Sequence, residues 1–245
     1  MPTDDPTVTR MTSIADFDAQ ISGIAALADP LRRGLYRFVI AQSAPVSRDA
    51  AAAGMGVARH VAKFHLDKLV HDGLLAVEYA RPPGRRGPGA GRPAKLYSRS
   101  SRELTLSVPQ RQYELAARLL ADAVTISGRD STTVADALAQ VARDTGRAFG
   151  AQARHDAEAL EPANVLAVAV TALERAGYEP RVDGTSVTLV NCPFHVLARE
   201  HADLVCGMNL DLLTGLVEGL ASSNLQASLE PAPGLCCVRL RETVA

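Results

Sequence analysis

The sequence predicts a mainly α-helical chain with an α+β C-terminal part. Three observations carry that prediction. Between residues 30 and 98 a helix, a short helix, a glycine turn, a third helix and a hairpin follow closely on one another. After Arg102 come two long stretches with helical apolar spacing. From Glu179 to Leu240 the pattern becomes strand, strand, helix, strand, strand, the order of an antiparallel sheet with covering helices.

Taken in order, residues 1–20 are polar, with Pro2, Pro6 and several Thr and Asp, and are expected to form a disordered arm. A helix begins near Ile21 and is interrupted at Asp29-Pro30. There Asp29 can cap a new helix and Pro30 suits its first position, where the missing N–H has no partner anyway. That helix runs to about Ala41, with Leu31, Leu35, Phe38 and Val39 on its apolar face. Ser47 caps a short alanine-rich helix, 47–53, which ends at the Gly54-Met55-Gly56 turn. A third helix, 57–71, stops at Gly73. Residues 74–79 and 94–98 read as the two strands of a hairpin whose tip, 82–93, is saturated with Pro and Gly. Helix 110–127 follows Pro109, helix 132–155 is capped by Ser131, and helix 164–176 closes at Gly177. Strands 179–183 and 186–190 turn at Gly184, a helical stretch covers 194 to about 220, and strands 226–230 and 235–240 flank Ala232-Pro233-Gly234. The expected divisions are an arm at 1–20, a first domain at 21–104, central long helices at 105–158 and an α+β domain at 159–245.

Composition removes several classes. Of 245 residues 47% are hydrophobic and 22% charged, enough for a globular core. No apolar run approaches the ~18 residues of a spanning helix, so no membrane partner is expected. The first residues lack a basic-then-apolar leader, so a cytoplasmic location is expected. Four cysteines are too few for a disulfide scaffold, and the absence of Trp weighs against a base-stacking RNA platform. The net charge of −1 conceals an asymmetry. Residues 1–100 hold 14 Lys and Arg against 9 Asp and Glu, whereas 101–245 hold 12 against 18. Between Arg81 and Arg99 there are six cations and no acid. A basic module followed by an acidic one points to a polyanion-binding domain joined to something else.

A helix, a short bracing helix, a turn and a further helix, followed by a basic hairpin, form the outline of a winged helix-turn-helix, whose third helix enters the major groove of DNA. A wheel of that helix puts Ala58, Ala62, His65, Leu66 and Leu69 inward, with Val57, Val61 and Phe64 adjoining them. Arg59, His60, Lys63, Asp67 and His71 are left outward. Arg59, His60 and Lys63 lie early in the helix, where base edges are read, and Asp67 at i+4 from Lys63 is expected to orient it. Arg85, Arg86, Arg92 and Lys95 in the wing suit phosphate contact or a narrow minor groove.

Residues 24–98 resemble the winged helix-turn-helix of bacterial transcriptional regulators related to the ArsR and MarR types. The segment Phe64-His-Leu-Asp-Lys-Leu-Val-His-Asp-Gly-Leu-Leu75, followed by Gly89-Ala-Gly-Arg-Pro-Ala-Lys-Leu-Tyr97, is especially similar to the SufR-like group. The resemblance implies a DNA-binding repressor that recognises double-stranded DNA and carries an iron–sulfur cluster, [4Fe-4S] or [2Fe-2S], on its C-terminal cysteines.

All four cysteines lie in the last 54 residues: Cys192, Cys206 and the adjacent Cys236 and Cys237. There is no CxxC pair, so neither a zinc ribbon nor a thioredoxin motif is present. Taken alone, such cysteines are small buried hydrophobes, thiolate ligands of an iron–sulfur cluster, or a structural zinc site completed by His195 or His201. Cys206 follows Cys192 by about four helical turns, so a helix break near 200–203 is needed to bring the two together. If Cys236 and Cys237 sit in a strand, only one can face a given side, and Cys237 is favoured because Cys236 shares its side with Val238 and Leu240. Better-known SufR-like proteins have a further cysteine midway along, and 207–235 here has none. The fourth ligand is therefore open among the remaining cysteine, His195, His201, an acidic side chain and an exogenous thiol.

The apolar stripes Leu115/Leu119/Ala123/Ile126 and Val134/Leu138/Val141 are expected to hold a homodimer, which in turn demands a pseudo-palindromic operator. A regulator that senses a small molecule, with cysteines that only pack, is the competing function. An enzyme is not expected, since no nucleophile elbow, P-loop or HExxH motif occurs.

Overall fold

The computed structural model describes residues 14–80, 93–158, 164–222 and 224–243. Contacts divide the chain into two units, Ile14–Leu106 and the part from Ser107 onward.

In the first unit α1 spans Ile14–Ala26, so residues 14–20, expected to be disordered, are helical. Phe17, Ile21 and Ile24 recur at helical spacing there, a signal that the polar residues upstream masked. The Asp29 carboxylate accepts from Arg32 N at 2.7 Å and caps α2 (Pro30–Ile40), with Pro30 in the first turn. Ser47 Oγ accepts from Ala50 N at 3.1 Å and caps α3 (Arg48–Gly54). Gly56, at φ 63°, makes the turn into α4 (Arg59–His71). Strand β1 (Val46–Ser47) joins β2 (Leu75–Ala80) and β3 (Ala94–Arg99) in an antiparallel sheet of order β1-β3-β2. The hairpin register runs from Leu75 opposite Arg99 to Ala80 opposite Ala94. Leu35, Val39, Ala62, Leu66, Leu69 and Tyr97 form the centre of this unit's core.

The second unit is built on α5 (Tyr113–Asp130) and α6 (Val134–Glu158). Ser131 does not cap α6. It ends α5 in the left-handed region at φ 54°, and Thr133 Oγ1 takes the capping role, accepting from Asp136 N at 3.1 Å. Asn164 caps α7 (Val165–Arg175). The strands β4 (Pro180–Asp183), β5 (Ser186–Leu189), β6 (Leu225–Leu229) and β7 (Val238–Glu242) form an antiparallel sheet of order β4-β5-β7-β6. Between β5 and β6 lie α8 (His195–Glu200) and α9 (Ala202–Gly219), two helices broken at His201, within the 200–203 stretch where a break is needed to bring Cys206 toward Cys192. Leu115, Leu119, Ala123 and Leu138 are buried in this unit's own core. Those four residues are covered within the chain and offer no apolar face to a second copy.

Helices α6 and α9 approach so closely that only glycine fits at four positions. A Cβ on Gly146 would lie 1.9 Å from Leu212 O, and one on Gly150 2.1 Å from Leu216 O. From the other side, a Cβ on Gly215 would lie 2.0 Å from Arg143 O, and one on Gly219 2.2 Å from Arg147 O. Beside this seam the Glu218 carboxylate accepts from Arg143 Nε at 3.0 Å and Arg147 Nε at 2.7 Å. The Arg143 hydrogen bonds, seconded by Arg147, outweigh desolvation and hold the Glu218 pKa down to about 2. Because the folded value lies below the ordinary carboxyl value of ~4.3, the pair stabilises the fold above that pH. The contribution is lost as pH falls toward 2. Glu218→Gln is expected to lower the urea midpoint at pH 7 and leave it unchanged near pH 2. The difference should stay within about 1 kcal/mol for so exposed a pair, and an equal loss at both pH values would contradict this account.

Candidate nucleic-acid interface and thiol cluster

On α4, Ala62, Leu66 and Leu69 are fully buried, and Arg59, His60 and Lys63 are exposed on the other side. Arg59, the first residue of the helix, pairs with Asp49 at a contact where both side chains are 67% exposed, so DNA can displace it at little cost. Asp67 does not orient Lys63. Its carboxylate accepts from Lys95 Nζ at 2.5 Å and from the Tyr97 hydroxyl at 3.1 Å, joining α4 to β3. Burial acts to raise the Asp67 pKa, and the Lys95 and Tyr97 hydrogen bonds more than reverse it, leaving it lowered. Burial likewise acts to lower the Lys95 pKa, and the Asp67 bond overrides it. Lys95, expected to touch phosphate, thus braces the base of the wing against α4, and its side chain is 24% exposed. Arg85, Arg86 and Arg92 lie outside the described residues.

The structure places Phe64 differently from the wheel reading. It is 65% exposed and stands in the outward face. His65, expected inward, is half-buried and accepts from Arg32 Nε at 3.4 Å.

In the second unit three separated segments bring the four cysteines together. Cys192 lies between β5 and α8, Cys206 in the first turns of α9 beyond the break at His201, and Cys236 and Cys237 in the turn before β7. Both of these adjacent thiols, just ahead of β7, meet other cysteines, Cys236 interacting with Cys192 and Cys237 with Cys206. The thiols interact in a row, Cys206 with Cys237, Cys237 with Cys236 and Cys236 with Cys192. Cys192, at one end, is lowered by its interaction with Cys236 against burial, with help from the Phe194 N–H. Cys236 is pushed up to about 12 by its interaction with Cys192, and Cys206 up to about 12 by burial and then by Cys237. The interaction with Cys236 raises Cys237 as well.

A polar scaffold holds this row. Asn209, 1% exposed, donates from Nδ2 to Cys236 Sγ at 3.3 Å and more weakly to Cys237 Sγ at 4.0 Å. Its Oδ1 accepts from the hydroxyl of buried Tyr178. Asn191 donates to Gly177 O at 2.7 Å and Gln110 O at 3.1 Å. Arg111 donates to Asn191 Oδ1 and to Cys192 O, both at 2.7 Å, which fixes the chain at Cys192. The Cys236 N–H donates to Leu189 O at 2.8 Å, tying the paired cysteines to the end of β5. Sequence reasoning missed Asn209, Tyr178, Asn191 and Arg111. Asparagine in the apolar run of α9 was the available signal.

The donor set is sulfur alone, four thiols from three segments, which fits a thiolate-ligated iron–sulfur cluster in type and number. Among the described residues no three His, Cys, Asp or Glu are grouped as the ligands of one metal ion would be. His195 and His201 are exposed.

A short helix bracing an exposed cationic helix, with a sheet hairpin anchored beside it, defines a helix-turn-helix DNA-binding regulator rather than an enzyme. Residues 27–78 match the model of a helix-turn-helix domain, which spans α2 to α4 and most of β2. No curated protein and no solved structure matches the chain. Among the described residues no helix is long and apolar enough to cross a membrane.

Proposed function

We propose that the chain is a cytoplasmic transcription repressor whose affinity for a pseudo-palindromic operator is set by an iron–sulfur cluster on Cys192, Cys206, Cys236 and Cys237. The observation that carries this reading is that Cys192, Cys206, Cys236 and Cys237, from three segments far apart in sequence, interact in one row. The SufR-like resemblance supports it. The cluster supplies a redox- and iron-sensitive bond set among those segments. The chain's own part is to hold the thiols in place. Asn209 does so by donating to Cys236 and Cys237, and the Phe194 N–H by donating to Cys192. Linkage makes the coupling reciprocal: a cluster that strengthens operator binding is itself retained more firmly on the operator.

The reading includes a homodimer, so that two α4 helices meet two half-sites about 34 Å apart. An open groove of about 670 Å³ between α5 and α6 supports it. Half-buried Ile126 and Val141 line it, and Arg118 and Asp144 lend it both charge signs, as a self-complementary contact requires. Sedimentation as a monomer at micromolar concentration, with one chain per duplex, would remove the dimer from the proposal.

The test is anaerobic purification with iron, sulfide and zinc analysis, then operator binding by the loaded and stripped forms. The expected result is a brown protein absorbing at roughly 400 nm. Its operator affinity should change on stripping, and Cys192→Ser and Cys206→Ser should each bleach the colour. A colourless protein holding zinc without sulfide would establish a structural metal instead. Operator affinity and iron content that survive loss of both Cys192 and Cys206 would overturn cluster control and favour a small-molecule sensor.

A further inference from the structure

Phe64 is the one large apolar side chain on the exposed side of α4, among Arg59, His60 and Lys63. At about 100° per residue it lies two steps from both Ala62 and Leu66, which are fully buried, so it points away from the core. An isolated exposed apolar residue needs no explanation on an ordinary surface. This one occupies the second turn of the helix that enters the major groove, between the side chains that meet the DNA. Its ring is also held: it meets His65 edge to face, with centroids 5.2 Å apart and planes at 78°, and His65 is in turn fixed by Arg32. A ring fixed before binding loses little rotamer freedom when it is covered.

The major groove offers an aromatic side chain one apolar feature, the 5-methyl group of thymine. We propose that Phe64 is a specificity-determining residue that packs on a thymine methyl in each operator half-site, adding an apolar contact to the hydrogen bonds of its cationic neighbours. The proposal rests on the helix-turn-helix reading and is independent of the cysteines. Burying one methyl group corresponds to about a fourfold change in affinity. Phe64 makes no contribution to the core, so its truncation leaves the fold intact.

The experiment uses the full-length protein and an operator selected from a random duplex pool. Each thymine of a half-site is replaced in turn by deoxyuridine, which lacks only the methyl group, and affinity is read by fluorescence anisotropy. The wild type should lose about fourfold per half-site at one thymine, and Phe64→Ala should bind thymine and deoxyuridine equally there. The slope of log affinity against log salt should be the same for both proteins, since no phosphate contact has been removed. Insensitivity of the wild type to every methyl, or equal sensitivity of Phe64→Ala and wild type, would overturn the proposal. Absence of any sequence-selective duplex binding would instead overturn the reading on which it rests.

Discussion

Gly146→Ala is expected to destabilise the second unit by at least about 3 kcal/mol, at or beyond the upper end of ordinary overpacking. The added methyl would stand 1.9 Å from Leu212 O and 2.8 Å from Leu216 N. Both are backbone atoms of α9, so no side-chain rotation relieves the contact. The helices must separate along their length, opening the packing of Leu212, Leu213 and Leu216. Alanine's better helix propensity, about 1 kcal/mol, recovers only part of the loss. Gly128 in α5 is the control, because a Cβ there meets nothing within 4 Å. Gly128→Ala should therefore stabilise the unit by roughly 0.5–1 kcal/mol. Hydrogen exchange locates both effects: protection in α6 and α9 should fall in Gly146→Ala, with α2 and α4 unchanged. Equal stability of the two alanine variants would show that the seam is loose enough to admit a side chain.

That seam shows where sequence reading reaches its limit. The helical pattern of α6 and α9 is visible in the chain, as are the caps at Asp29 and Ser47 and the four-strand order around α9. Local rules are enough for these: a side chain that pairs with the next turn, or an apolar period. Gly146, Gly150, Gly215 and Gly219 each look like helix-weakening residues in isolation. Their purpose exists only when two helices, whose facing glycines lie 69 residues apart in sequence, are brought into contact. The same holds for Ser131 and Thr133, adjacent candidates for one cap, between which only the tertiary path of the loop decides.

The candidate sites divide along the same line. The exposure of Arg59, His60 and Lys63 was legible because it follows from the period of a single helix. Phe64 was misassigned because a hydrophobic residue is expected to turn inward, although the wheel angle alone puts it opposite Ala62 and Leu66. Asp67 was given a partner on its own helix at i+4, and its bonds go to Lys95 and Tyr97 across the unit instead. Cysteine content pointed to a thiol site, but the contacts of Cys236 and Cys237 depend on Cys192 and Cys206 arriving from other segments.

Asn209→Leu carries the second large effect. In the native protein the Asn209 amide links the Tyr178 hydroxyl to Cys236 and Cys237, deep in the core. Leucine has the same branched heavy-atom skeleton and leaves no cavity, but the Tyr178 hydroxyl loses its acceptor where water cannot replace it. The cost of one such orphaned group is about 1–3 kcal/mol. Tyr178→Phe removes the hydroxyl and leaves Asn209 Oδ1 without its donor, a loss in the same range. Because each residue satisfies the other, removing both should cost less than the sum of the single losses, with a coupling of about 0.5–3 kcal/mol. The thiols supply a second readout. Donation from Asn209 lowers the Cys237 pKa, so Asn209→Leu should raise it further, whereas Tyr178→Phe keeps that donor in place. Urea unfolding of the two single variants and the double variant closes the cycle, and alkylation of Cys237 against pH reads the thiol. Additive losses, or unchanged Cys237 alkylation in Asn209→Leu, would show that the amide merely fills space beside the cysteines.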